Sequence, residues 1–244
     1  MKPCAFFLLA GLPAFLWQLN AKPPAEARSA ADAVRAVMGA EDILSDIPLR
    51  DVIAAATGKT ILPFQPDKVP ADATCHAHIT GAANKVLAAL NAPDSPLRGL
   101  RRINEASHHV EDKLAALLNA GEFTCAVPHT SAGGAQRPGY PDLRIVHKPS
   151  GRVYYLDPKL YESTAATSTL RTFYYEPKDL TGKIHDHACH LILGIAHDGK
   201  DGAWQLTGWR LIDLHNFRVR LKAEFQASNK DLYREEMTVG RSAQ

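Results

Sequence analysis

The stretch "PGYPDLRIVHKPSGRVYYLDPKLYE", Pro138 to Glu162, decides how the chain is read. "DLRIV" and "RVYYL" are apolar runs rich in β-branched and aromatic residues, the composition of paired strands. Between them sits Lys148-Pro149-Ser150-Gly151. Proline second and glycine fourth suit a type I turn. Folding back about Pro149 and Ser150 sets His147 against Arg152. Counting outward sets Asp142 against Asp157. Side chains alternate along a strand, so Val153, Tyr155, Asp157 and Lys159 share one face, and Asp142 joins them. Like charges directly opposite one another are unfavourable. A shared proton, the lysine or a bound cation must offset them. An oxygen-rich site of this kind suits Mg²⁺ or Mn²⁺.

Around the hairpin, "RRINEASHHVEDKLAALLNAGEF" is the clearest helix, with Ile103, Val110, Leu114 and Leu118 on one face and Gly121 as its stop. "FTCAVP" reads as a strand and "HTSAGGAQRPGY" as a glycine-rich loop without phosphate-loop spacing. Residues 163–187 fit no clear element. "ACHLILGIAHD", "AWQLTGWRLIDL" and "RVRLKAEFQAS" read as further strands, and "NKDLYREEM" as a short closing helix. The fold class is α/β, a mixed sheet with helices.

At Pro141-Asp142 and Asp157-Pro158-Lys159 the sequence resembles the PD-(D/E)XK nuclease superfamily, the restriction-endonuclease-like and Holliday-junction-resolvase-like enzymes. The two half-motifs lie on consecutive strands across a tight turn, after a helix, a strand and a glycine-rich loop. The resemblance covers roughly residues 101–197. It implies a helix-strand-strand-strand-helix-strand core and metal-dependent cleavage of DNA, with RNA as the other candidate substrate. It implies Mg²⁺ (or Mn²⁺) held by Asp142, Asp157 and the Pro158 carbonyl, with Lys159 beside the attacking water. The family often adds an acid from the leading helix. Glu111, bordering the buried face, is preferred to Glu105 for that role. Pro158 departs from the usual pattern, because proline removes a ladder donor.

Phosphate contacts are expected from Arg137, Arg144, Lys148 and Arg171, and stacking from Tyr174. Gln226, on the strand expected near the C-terminus, would support the site or touch substrate. Two other readings stay open: a non-catalytic nucleic-acid-binding relative, and a zinc-dependent hydrolase using "CHAH", His108-His109 and "HDHACH". No pair among these matches a familiar zinc spacing.

The 244 residues carry a formal net charge of +2, which neither demands nor forbids a nucleic-acid partner. Lys2 followed by "CAFFLLAGLPAFLW" reads as an export signal over residues 1–27, cleaved after Ala25-Glu26-Ala27 or, less well, after Leu19-Asn20-Ala21. The mature protein is then periplasmic or secreted, with no membrane span. A helical lead-in is expected over 28–95 and the nuclease-like domain over 96–244. Cys75, Cys125 and Cys189 read as buried free thiols, one bridge at most being possible.

Overall fold

The computed structural model describes residues 29–40, 44–170, 172–178, 180–222 and 226–241. The leader expected over 1–27 and Arg171 lie outside them. Among the described residues no helix is long and apolar enough to cross a membrane.

The chain forms two compact units. The smaller takes residues from both chain ends and contains α1 (Ala30–Gly39). The larger spans residues 42–224. It begins with the two-residue β1 (Ile47–Pro48), then α2 (Leu49–Thr57) and β2 (Ile61–Leu62). Gly58 ends α2 in the left-handed conformation, φ +67°, which glycine adopts without steric cost. Next come α3 (Pro70–Leu90) and α4 (Ser107–Leu118). α3 starts at a proline, where the missing N–H costs nothing.

The sheet is built from β3 (Phe123–Ala126), β4 (Leu143–His147), β5 (Arg152–Glu162), β6 (Ala188–His197) and β7 (Leu206–Asp213), with β2 added. Among the described residues β8 (Arg218–Val219) pairs with β1 alone. The short helix α5 (Asn229–Leu232) belongs to the smaller unit. The strand order is β2-β6-β5-β4-β3, with β7 also on β6. β5 and β6 run parallel, and β4 is antiparallel to β5. The sheet is therefore mixed, as expected.

β5 lies inside the sheet, and every residue from Val153 to Asp157 is buried. All ten residues of β6 are buried. Alternate side chains of β5 enter separate cores. Tyr154 and Leu156 join a cluster with Val86 and Leu90 of α3 and Val110, Leu114 and Leu118 of α4. Val153 and Tyr155 join a cluster with Leu49 and Ile53 of α2. α3 thus shares its core with strands on the far side of residue 95.

Two expectations fail. The resemblance called for a helix between β5 and β6. Among the described residues that crossover has only a 3-10 turn, Ser163–Ala165, and otherwise irregular backbone. A parallel pair needs a long crossover, not necessarily a helical one. This stretch, "STAATSTLRTFYYEPKDLTGKIHDH", lacks an apolar helical stripe. Among the described residues the strand expected over "RVRLKAEFQAS" is limited to Arg218–Val219, paired with a β1 that is itself two residues long.

Candidate active site

The hairpin register runs His147↔Arg152, Val146↔Val153, Ile145↔Tyr154, Arg144↔Tyr155 and Leu143↔Leu156. One further step sets Asp142 opposite Asp157, as counted from the turn. Gly151 closes that turn at φ +68°, its N–H donating to the His147 carbonyl at 2.8 Å. Pro158 sits inside β5 without breaking it. β4 pairing has stopped at Leu156, so from Asp157 onward β5 has a ladder only on the β6 side. An open flank is where a strand tolerates proline.

Three charged groups converge there. The Lys159 ammonium makes a very short ion pair with Asp157 Oδ2 and lies 3.8 Å from Asp142 Oδ2. The Asp157 side chain is 1% exposed. Its Oδ2 meets Lys159 electrostatically yet receives no hydrogen bond of normal geometry. The Asp142 pKa is pushed up to about 8, first by burial, then by the Asp157 charge and a hydrogen bond between the two carboxyls. One proton is thus held by the pair near neutrality. Burial works against the Lys159 charge, but Asp157, Asp142 and Glu111 hold its pKa above the ordinary value.

Glu111 stands on α4 beside this group. Burial raises its pKa, and the Lys159 and Asp157 charges both act on it. Arg137 reaches Asp112 at 2.5 Å and Glu111 at 3.6 Å. Glu105 is exposed, in the short turn before α4.

Lys183 was missed by sequence reasoning. It lies in the stretch that fitted no element, yet it is 1% exposed. Its ammonium donates to the carbonyls of Arg137 at 3.1 Å and Gln136 at 3.5 Å. Burial lowers its pKa, while Asp142, Asp157 and Glu111 oppose that shift.

Behind the acids, the Tyr140 hydroxyl and His190 Nδ1 are hydrogen-bonded at 2.7 Å. Burial lowers the His190 pKa to about 3, so the ring is neutral. Phe173 and Tyr175 pack edge-on against Tyr140.

The remaining expected contacts scatter. Arg144 is committed to Asp186 through two hydrogen bonds of 2.8 Å, and Tyr155 donates to the same carboxylate. Lys148 is exposed at the hairpin tip, six residues and roughly 20 Å along the strands from Asp157 at the usual strand rise. Tyr174 is 63% exposed between the inward-facing Phe173 and Tyr175. Gln226 is exposed and outside the larger unit.

The histidines are dispersed. His78 contacts the Leu118 carbonyl, His185 that of His129, and His187 Nδ1 accepts from the Thr60 N–H. Among the described residues no three His, Cys, Asp or Glu side chains gather as a metal group. Cys75, Cys125 and Cys189 are buried free thiols.

A family model, "Type II restriction enzyme MjaV family", matches residues 44–236. The chain belongs to the MjaV family. A relative in Methanocaldococcus jannaschii, the type II restriction enzyme MjaV, is 33% identical over 145 residues, covering 57% of this chain and 63% of that protein. The match therefore spans less than two thirds of the relative's length. No solved structure matches the chain. The matched span of the MjaV family contains Glu111, Asp142, Asp157, Lys159 and Lys183.

Proposed function

We propose that this chain is a Mg²⁺-dependent DNA endonuclease with a PD-(D/E)XK site formed by Asp142, Asp157 and Lys159. Membership of a family of type II restriction enzymes supports DNA as substrate. The observation that carries the chemistry is the buried Asp157 carboxyl and the half-buried Asp142 carboxyl with one lysine ammonium against both. A structural surface cluster has no need to bury two like charges.

The donor set fits a small hard cation. It offers two adjacent carboxyl groups, one of them 1% exposed, and a proton on Asp142 that a cation would displace. Mg²⁺ commonly binds through one or two carboxylates and keeps several waters. Asp142 and Asp157 would hold it, with the Pro158 carbonyl. Bound there, the ion lowers the pKa of a coordinated water and offsets phosphate charge.

The chain's own groups do the rest. Lys159, fixed by both aspartates, faces the charge that develops on the phosphate oxygens. Glu111 contributes a third acid at the rim, steadied by Arg137. Water gives up a proton to solvent as its oxygen bonds to phosphorus, one P–O bond breaks, and the leaving alkoxide takes a proton from solvent. Plasmid DNA incubated with Mg²⁺ and purified protein tests the reading. Wild type cleaves and Asp157→Ala does not. Binding without cleavage by wild type identifies a non-catalytic relative instead.

A further inference from the structure

The Asp142 and Asp157 carboxyls act on two ammonium groups, that of Lys159 through direct ion pairing and that of Lys183 at longer range, with Glu111 acting on both. Lys159 comes from the strand that carries Asp157. Lys183 comes from the irregular crossover, and its placement is built rather than incidental. Gly182 precedes it in a turn so tight that a Cβ there would lie 2.7 Å from the Lys178 carbonyl oxygen. The Ser131 N–H donates to the Gly182 carbonyl at 2.9 Å, and the Ala132 N–H to that of Leu180 at 3.1 Å. These bonds stitch the crossover to the glycine-rich loop leading into Tyr140 and Asp142. Lys183 closes the same seam from the inside, on the carbonyls of Gln136 and Arg137. An aliphatic residue could fill the space, but it would neither donate to these two carbonyls nor add positive charge near the acids.

We propose that Lys183 is a positioning residue for the acid pair, holding the 136–137 backbone in place and setting the charge that Asp142 and Asp157 present to a divalent cation and to a phosphate. This rests on the proposed two-carboxylate metal site. It separates two effects that a mere anchor would join. Removing the positive charge leaves the acids more attractive to Mg²⁺ and the whole site less attractive to polyanionic DNA. A loosened loop would weaken both.

The test is Mg²⁺ titration calorimetry on metal-free protein, alongside binding of labelled duplex DNA without metal. Wild type is compared with Lys183→Gln, which keeps N–H donors without charge, with Lys183→Arg, which keeps the charge, and with Asp157→Asn. For Lys183→Gln, Mg²⁺ binding tightens roughly 5-fold, the order expected for losing a unit charge near a divalent ion in a screened site, while DNA binding weakens. Lys183→Arg stays near wild type in both. Unchanged or weaker Mg²⁺ binding by Lys183→Gln overturns the proposal and leaves the metal site standing. Wild-type Mg²⁺ binding that is absent, or that survives Asp157→Asn, overturns the metal site and this proposal with it. If Lys183→Gln fails to melt cooperatively while Lys183→Arg does so, the charge serves the fold alone and the proposal is overturned.

Discussion

Asp142 stands across the hairpin from Asp157, one step beyond the last paired residues, Leu143 and Leu156. That step matters. The β4–β5 ladder ends at Leu143 and Leu156. Just past it, β4 has ended and the Lys159 ammonium reaches both. The chemistry sits where regular pairing stops.

The site acts as a unit, so single losses should be large and non-additive. Asp142→Ala, Asp157→Ala and Lys159→Ala each lower plasmid cleavage by about 100-fold or more, the usual scale for losing one such group. The Asp142→Ala/Asp157→Ala double variant costs little beyond the worse single change. Independent, multiplying effects would place these residues outside a common site.

Asp142 gives the metal-free protein an unusual pH dependence. Its carboxyl ordinarily ionises at 3.8 but in the fold at about 8. The folded state therefore keeps a proton that the unfolded chain has lost. This contribution is fully present below 3.8 and is lost as pH rises toward about 8. His190, with its depressed pKa, works the opposite way below neutrality. Melting temperatures of wild type and Asp142→Asn isolate the first effect, since their difference should move in favour of the variant across that window. A difference independent of pH would contradict the raised pKa.

Cation binding should displace the same proton. At pH 7, Mg²⁺ titrations in buffers of different ionisation heat should show release of close to one proton, falling toward none above pH 9. Identical heats in all buffers at pH 7 would mean that Asp142 is already ionised.

Arg144 separates structure from recognition. It is locked on Asp186, which Tyr155 also contacts, so Arg144→Ala should lower the melting temperature. A partly buried ion pair of this kind costs on the order of 1–3 kcal/mol to break. The slope of DNA affinity against salt should not change, since no phosphate contact is lost. A slope reduced by about one unit would return Arg144 to the DNA interface.

The hairpin was legible because its determinants are local. Apolar runs, Pro149 and Gly151 fix turn and register within a few residues. The paired strands β5 and β6 announced themselves through continuous apolar runs, the mark of burial on both faces. What stayed hidden depends on distant partners. Arg144 reads as a free cation until Asp186, 42 residues away, appears beside it. Lys183 is one lysine in a stretch without periodicity, and only the fold brings it under the glycine-rich loop. "RVRLKAEF" alternates well enough for a strand, but alternation cannot supply a partner.

The central claim is that Asp142 and Asp157 jointly hold a divalent ion. Crystals soaked in Mn²⁺ test it directly through the anomalous signal. The account predicts one peak within about 2.2 Å of carboxylate oxygens from both residues, near the bond length of such ions to oxygen. A peak elsewhere, or none at a concentration that supports DNA cleavage, would contradict it.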